Sequence, residues 1–272
     1  MRECFENVRK KRPLIHSITN YVTANDVANV LLACGASPIM ADDVCEAEEI
    51  TAGCAGLNLN LGTPNPRKAE AMKKAGKLSN QLGHIVLLDP VGVGASSFRK
   101  ALSAELLKEI KFDAVRGNIS EIRALALGSG GERGVDAASG EHITEENLSR
   151  MVDFVKQFSR ETGSVIAVTG EIDLVADGDV CYVIRNGRSE MSLVTGTGCQ
   201  LSAIMTAFLA ANPGRRLLAA AAAVCMYGVA GETAWRNLKN GEGTATYRSR
   251  IIDAVSFMDG KSLEEGARYE IR

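Results

Sequence analysis

Val194-Thr195-Gly196-Thr197-Gly198-Cys199-Gln200, running into the apolar segment Leu201 to Ala211, is the stretch on which the fold turns. Met191 to Val194 is β-prone, two glycines flank a threonine, and helical residues begin at once. The pattern predicts a strand, a tight turn and a helix. Glycine frees the backbone and lets a ligand come close to it. The helix start offers unpaired N–H groups and the positive end of a dipole, which together hold anions, phosphate above all. Cys199 falls at or near the first helical position, where a thiol is expected to titrate lower and to act as base or nucleophile. A lone Gly-x-Gly turn is a weak signal, and an inert packed cysteine fits it as well.

Outward from this turn, apolar strand-like runs alternate with helical patterns. Leu14 to Ile18 reads as a strand, with Thr19 and Asn20 as good helix N-cap types. Val27, Val30, Leu31 and Cys34 mark one helix face that Gly35 ends. Pro38 to Met40 is a second short strand, Glu46 to Ala52 a helix, and Leu57 to Leu61 an alternating strand. A helix starting at Pro66 and stopping at Gly83 leads to His84 to Leu88, apolar enough for a strand buried on both faces. Ala114-Val115, then Val165 to Val168, read as further strands, with a helix face of Met151, Phe154, Val155 and Phe158 between them. Leu174 to Ala176 and Val180 to Ile184 flank Asp177-Gly178, a hairpin turn. The alternation gives an α/β fold, a mostly parallel sheet with helices on both faces and a mixed edge, as one domain over residues 1–272.

Composition narrows the function. The net charge of −2 offers nothing to nucleic acid or to an anionic membrane. Seven scattered cysteines, with no C-x-x-C pair, argue against disulfides or a thiolate zinc site and for a reducing compartment. The N-terminus has no apolar core of a secretory signal. The run Leu217 to Ala230 is shorter than the roughly 20 residues that span a bilayer and reads as a buried helix. A cytoplasmic location follows as the expectation.

Ligands of open α/β sheets bind beyond the C-terminal ends of the strands. Asp89, Arg116-Gly117-Asn118, Thr169-Gly170-Glu171 and Gly196 to Cys199 each follow an expected strand, so they would share one rim. Carboxylates (Asp89, Glu121), a guanidinium (Arg116), a hydroxyl (Thr169) and a glycine-flanked helix start suit phosphoryl transfer. That chemistry needs acids near Mg²⁺, donors for the moving charge and a base near the acceptor hydroxyl. Taken singly, Asp89 also reads as a turn residue, Glu121 as a helix first-turn charge and Arg116 as a surface ion pair. His16 has no metal-ligating neighbour at suitable spacing and reads as a structural hydrogen-bonder. No P-loop is present, and Gly92 to Ser97 lacks the third glycine of a dinucleotide fingerprint.

The motifs Asp89-Pro90-Val91-Gly92-Val93-Gly94-Ala95, Arg116-Gly117-Asn118-x-x-Glu121, Val168-Thr169-Gly170-Glu171 and Thr195 to Cys199 together resemble the hydroxyethylthiazole kinase family. His16 to Val22 and Gly35 to Met40 look like the same family's N-terminal motifs, so the resemblance covers nearly the whole chain. It implies a ribokinase-like fold, a homotrimer with active sites at subunit interfaces, and ATP-dependent phosphorylation of the primary alcohol of 4-methyl-5-(2-hydroxyethyl)thiazole in thiamine salvage. By position it implies that Met40 and Gly196 bind the thiazole, with Asn20 a further contact. Arg116 and Thr169 would bind ATP, Asp89 and Glu121 the Mg²⁺ region, and Cys199 would stand where sugar-kinase relatives carry an aspartate base. Thr197 departs from the family's usual Ala. The alternatives are a kinase of another small alcohol such as hydroxymethylpyrimidine, a nucleotide-dependent dehydratase or NAD-dependent oxidoreductase on a related sheet, and a non-catalytic metabolite binder.

Overall fold

A computed structural model of the chain describes residues 1–128 and 142–272. The strands form one nine-stranded sheet in the order β2-β1-β3-β4-β5-β6-β7-β8-β9. β2 (Ser37–Ile39), β1 (Leu14–Ile18), β3 (Gly56–Asn60), β4 (Ile85–Asp89), β5 (Ala114–Asn118) and β6 (Val165–Thr169) run parallel. β7 (Asp173–Ala176), β8 (Cys181–Ile184) and β9 (Tyr269–Ile271) complete it antiparallel. The parallel body and the hairpin edge match the sequence expectation, and β9 comes from a C-terminal segment to which the sequence reading assigns no element.

Two apolar cores sandwich the sheet. On one face pack α1 (Arg2–Lys11), α2 (Ala24–Cys34), α8 (Thr197–Ala211), α9 (Arg216–Arg236) and α10 (Thr244–Phe257). On the other lie α3 (Ala47–Ala52), α4 (Pro66–Leu82), α5 (Ser97–Glu109), α6 (Ile119–Gly128) and α7 (Leu148–Thr162). Phase along β3 divides the two. Leu57 and Leu59 enter the second core, whereas Asn58 and Asn60 point to the α8 side, and all are buried. The alternation that would normally mark a half-exposed strand here marks two buried faces of different polarity.

Three local expectations need correction. Met191 to Val194 is not a strand: Ser189–Leu193 forms a 3₁₀ turn, largely exposed, whose Met191 packs on Gly231 of α9. Among the described residues it pairs with no strand, and an apolar run without a strand partner does not make a strand. The helix after β1 starts at Ala24 with Thr23 as N-cap, not at Thr19 or Asn20. Asn20 instead turns back, its Oδ1 accepting from the Thr23 N–H at 3.1 Å. α9 extends past its apolar run, and by length and composition it could cross a bilayer, yet 78% of its most apolar window is buried within the protein.

Candidate active site

The chain leaves β1 for the outer strand β2 and then returns to β3 on the other side, so the sheet's topological switch lies between β1 and β3. Crevices for ligands open beyond such a switch. Asn20 follows β1, and Asn60 ends β3. Their amides meet, Asn20 Nδ2 donating to Asn60 Oδ1 at 3.0 Å. Backbone N–H groups fix both amide orientations, that of Thr23 on Asn20 Oδ1 and that of Gly62 on Asn60 Oδ1 at 2.9 Å. Both Nδ2 groups are therefore aimed at the Cys199 sulfur, at 3.4 Å from Asn20 and 3.2 Å from Asn60. Asn60 Nδ2 also donates to Asp89 Oδ2 at 2.6 Å, tying the end of β3 to the end of β4 and to the start of α8.

Cys199 is the third residue of α8 and almost completely buried. The expectation of a lowered thiol is overturned. Burial pushes it above its ordinary value, the Asp89 charge adds to this, and the Thr23, Asn60 and Asn20 side chains oppose. Cys199 lies within the first turn of α8, but a buried anion beside a carboxylate costs more than the helix dipole returns.

Asp89 is fully buried, and its carboxyl is pushed up to about 6, chiefly by burial; Arg116 opposes and Glu121 reinforces. Its Oδ1 has no well-formed hydrogen bond and faces Arg116 Nη1 at 3.8 Å. Arg116, inside β5 at 9% exposure, also donates through Nη2 to the Thr169 hydroxyl at the end of β6. Across from it lies Gly198, where a Cβ would run into the Arg116 guanidinium. Gly196 has the other task. Its φ of 87° is left-handed, and a Cβ there would collide with Thr23. Thr197 leaves the turn intact, its hydroxyl reaching the Val194 carbonyl at 3.5 Å.

Glu121 closes the loop after β4. Its Oε1 accepts from the Gly92 N–H at 2.8 Å and its Oε2 from the Asn118 N–H at 2.9 Å, while Asn118 Oδ1 accepts from the Glu121 N–H. This is a capping box that also holds the Asp89–Gly92 loop. Met40 stands apart from the network. It is 37% exposed, just beyond β2 at the outer end of the rim. The structure thus joins Cys199, Asp89, Arg116, Thr169, Gly196, Asn20 and, through Gly92, Glu121.

Sequence reasoning missed Asn60, although its polar side chain ends an apolar strand, the same signal that singled out Asp89. It also missed Asp173, whose Oδ1 accepts from the Gly170 N–H at 2.8 Å and whose carboxyl burial raises to about 7 despite Arg116. Among the described residues, no three His, Cys, Asp or Glu side chains cluster as a metal site.

A sequence profile of the hydroxyethylthiazole kinase family matches residues 5–260. A hydroxyethylthiazole kinase of Clostridium acetobutylicum is 53% identical over 270 residues, covering 99% of each chain. The chain belongs to the hydroxyethylthiazole kinase family. The solved hydroxyethylthiazole kinase of Pyrococcus horikoshii superposes with a TM-score of 0.88 at 32% identity, covering 100% of this chain and 98% of that one. A ribokinase-like superfamily protein of Enterococcus faecalis, 11% identical, shares the fold with a TM-score of 0.64 over 97% of this chain and 89% of its own. As a member of the hydroxyethylthiazole kinase family, the protein is a kinase with a ribokinase-like fold.

Proposed function

We propose that the protein moves the γ-phosphoryl group of ATP to the primary alcohol of 4-methyl-5-(2-hydroxyethyl)thiazole, as a single cytoplasmic domain spanning residues 1–272. The observation that carries the reading is the junction at Asn60, which holds a thiol at a helix start beside a buried carboxylate, with Arg116 facing Gly198. In the transfer the alcohol O–H bond breaks, an O–P bond forms to the γ-phosphorus, and the bridging O–P bond breaks to release ADP. Arg116 and the N–H groups of the α8 start take up charge on the moving phosphoryl, and Thr169 keeps the guanidinium aimed. Gly196 and Met40 border the thiazole, and Asn20 stands within reach of its hydroxyl. Cys199 positions that hydroxyl and, as thiolate, takes its proton late, which a loose transition state permits.

Magnesium fits at Asp89. The buried Oδ1, with Arg116 at 3.8 Å and the Ser202 side chain beside the carboxyl, keeps a lone pair that would accept a cation directly or through water. Glu121 fits less directly, since both its oxygens already accept N–H groups, so it would act through a remaining lone pair or water. Bound there with ATP oxygens and water, the ion would neutralise phosphate charge. Exposed Tyr21, Val22 and Leu193 beside the site loops support a contact between copies near the site, and the homotrimer is what the family resemblance implies.

ADP release with and without the thiazole alcohol tests the reading. Turnover should appear with that alcohol and be much weaker with hydroxymethylpyrimidine. Equal or stronger turnover with the pyrimidine would reassign the substrate. Thiazole binding without ADP release would leave a binder, not a kinase.

A further inference from the structure

His16 lies in the middle of β1, fully buried, paired in register with Ile39 of β2 and Leu57 of β3. Both ring nitrogens are engaged. Nε2 is 2.7 Å from the Ala41 carbonyl oxygen, and Nδ1 is 2.8 Å from the Thr51 hydroxyl in α3. A carbonyl can only accept, so Nε2 carries the hydrogen; the neutral ring then accepts at Nδ1 from the Thr51 O–H. Burial holds the ring's pKa below its ordinary value, which keeps it neutral.

The carbonyl so held belongs to the residue after Met40. Residues 40–43 have no regular structure; Met40 directly follows Ile39, the last residue of β2, and the side-chain ties beyond it lie further on. Buried Lys68 reaches Asp42 at 3.2 Å while donating to the Thr19 carbonyl at 2.7 Å, and exposed Arg67 pairs with Asp43. Lys68 thereby links this loop to the Thr19-Asn20 wall, but it grips two residues beyond Met40. The His16 bond grips one residue beyond, from inside the sheet.

We propose that His16, locked as its Nε2–H tautomer between Thr51 and Ala41, is a positioning residue that sets where Met40 stands against the alcohol substrate. The inference rests on Met40 bordering that substrate. His16 touches neither substrate nor ATP. It transmits the rigidity of the central sheet to an otherwise irregular loop at the outer end of the rim. Removing it should loosen alcohol binding and leave the ATP side alone.

The decisive pair is His16→Gln and His16→Asn, with Met40→Ala as reference. A Gln amide nitrogen reaches the place of Nε2 and can still donate to Ala41, whereas an Asn amide reaches only the place of Nδ1. His16→Asn is expected to raise KM for the alcohol about tenfold, the scale of one lost buried hydrogen bond. KM for ATP and kcat should stay within about twofold, and His16→Gln should keep an alcohol KM near the native one. Should His16→Asn fail to fold, Thr51→Val, which removes the donor to Nδ1 at equal volume, is expected to raise alcohol KM about threefold with ATP KM unmoved. Nitrogen-15 spectra of the native ring should show the neutral Nε2–H form. The proposal is overturned by equal alcohol KM in the Gln and Asn variants, by a proportional loss of kcat with both KM values raised, or by an Nδ1–H ring. If Met40→Ala raises alcohol KM and His16→Asn does not, the clamp fails while Met40 keeps its role. If Met40→Ala changes nothing, Met40 is not at the substrate and the positioning route through it is refuted.

Discussion

At the scale of single residues, burial decides the titration of the site. The unfolded chain releases the Asp89 proton near the ordinary 3.8, the folded chain only near about 6. The stability that the protonated form contributes is full below the lower value and is lost as pH rises through the higher one. Asp89→Asn imitates the protonated form. It should stabilise the free protein at pH 8 by on the order of 2–3 kcal/mol and hardly at all near pH 4, while lowering turnover and the benefit from Mg²⁺. Denaturant titrations at the two pH values check the first part; an equal ΔΔG at both would refute it. Cys199 follows the same logic. Its raised thiol leaves little thiolate at neutral pH, so Cys199→Ala should lower kcat by about 10²-fold, the lower end of general-base contributions. Cys199→Asp should retain more activity than the alanine variant, because a carboxyl, with an ordinary pKa far below that of a thiol, is the readier proton acceptor at the same place. An alanine variant with native kcat across the pH range would remove the thiol from the chemistry. Asp89 and Thr169 were legible in the sequence because they end apolar strands, and Arg116 because it follows the apolar pair Ala114-Val115, although the structure carries β5 on past it to Asn118. The direction of the Cys199 shift was not, because it depends on Asp89 and on burial, which come from distant segments.

At the scale of elements, the turn before α8 separates two uses of glycine that the sequence shows only as a pair. Gly196 is required by the backbone, at a φ of 87°. Gly198 is required by a neighbour, the tip of Arg116. Gly196→Ala should therefore cost about 1–2 kcal/mol through the left-handed conformation, with the Thr23 collision added. Gly198→Ala meets only the far end of a flexible side chain, so it should leave the melting temperature nearly unchanged. It should still reduce kcat/KM for ATP about tenfold or more by displacing the guanidinium. Thermal melts beside ATP-dependent kinetics distinguish them, and the reverse pattern would sink the assignment. Strands β4 and β6 were readable to within a few residues because both faces are buried and their runs are almost continuously apolar, whereas β1 and β5 announced themselves only by the short runs Leu14-Ile15 and Ala114-Val115. The segment before Gly196 reads wrongly as a strand because its apolar alternation of Met191 and Leu193, ending in β-branched Val194, fits a strand that finds no partner; Met191 is held instead by α9.

At the scale of the molecule, the site takes residues from β1, β3, β4, β5, β6 and α8, with Met40 at the far end of the rim. Parallel topology brings them to one edge of the sheet. That edge carries more apolar surface than a solvent-facing rim needs. Tyr21 is 80% exposed, Val22 57% and Leu193 63%, each within a few residues of Asn20 or Gly196. A small alcohol has few atoms to bury, so its pocket gains from walls that exclude water, and clustered exposed apolar side chains mark surfaces awaiting a partner. A neighbouring copy of the chain would supply the wall. Leu193→Asp places a charge on that surface without touching the network of Asn20, Asn60, Asp89 and Cys199. It should dissociate the proposed trimer to monomers at micromolar concentration in light scattering. KM for the alcohol should rise at least about tenfold as the pocket opens to water, while ATP binding by calorimetry stays close to native. A monomeric variant with native alcohol kinetics would show that each chain closes its own site. A native protein that scatters as a monomer while fully active would show the same without any substitution.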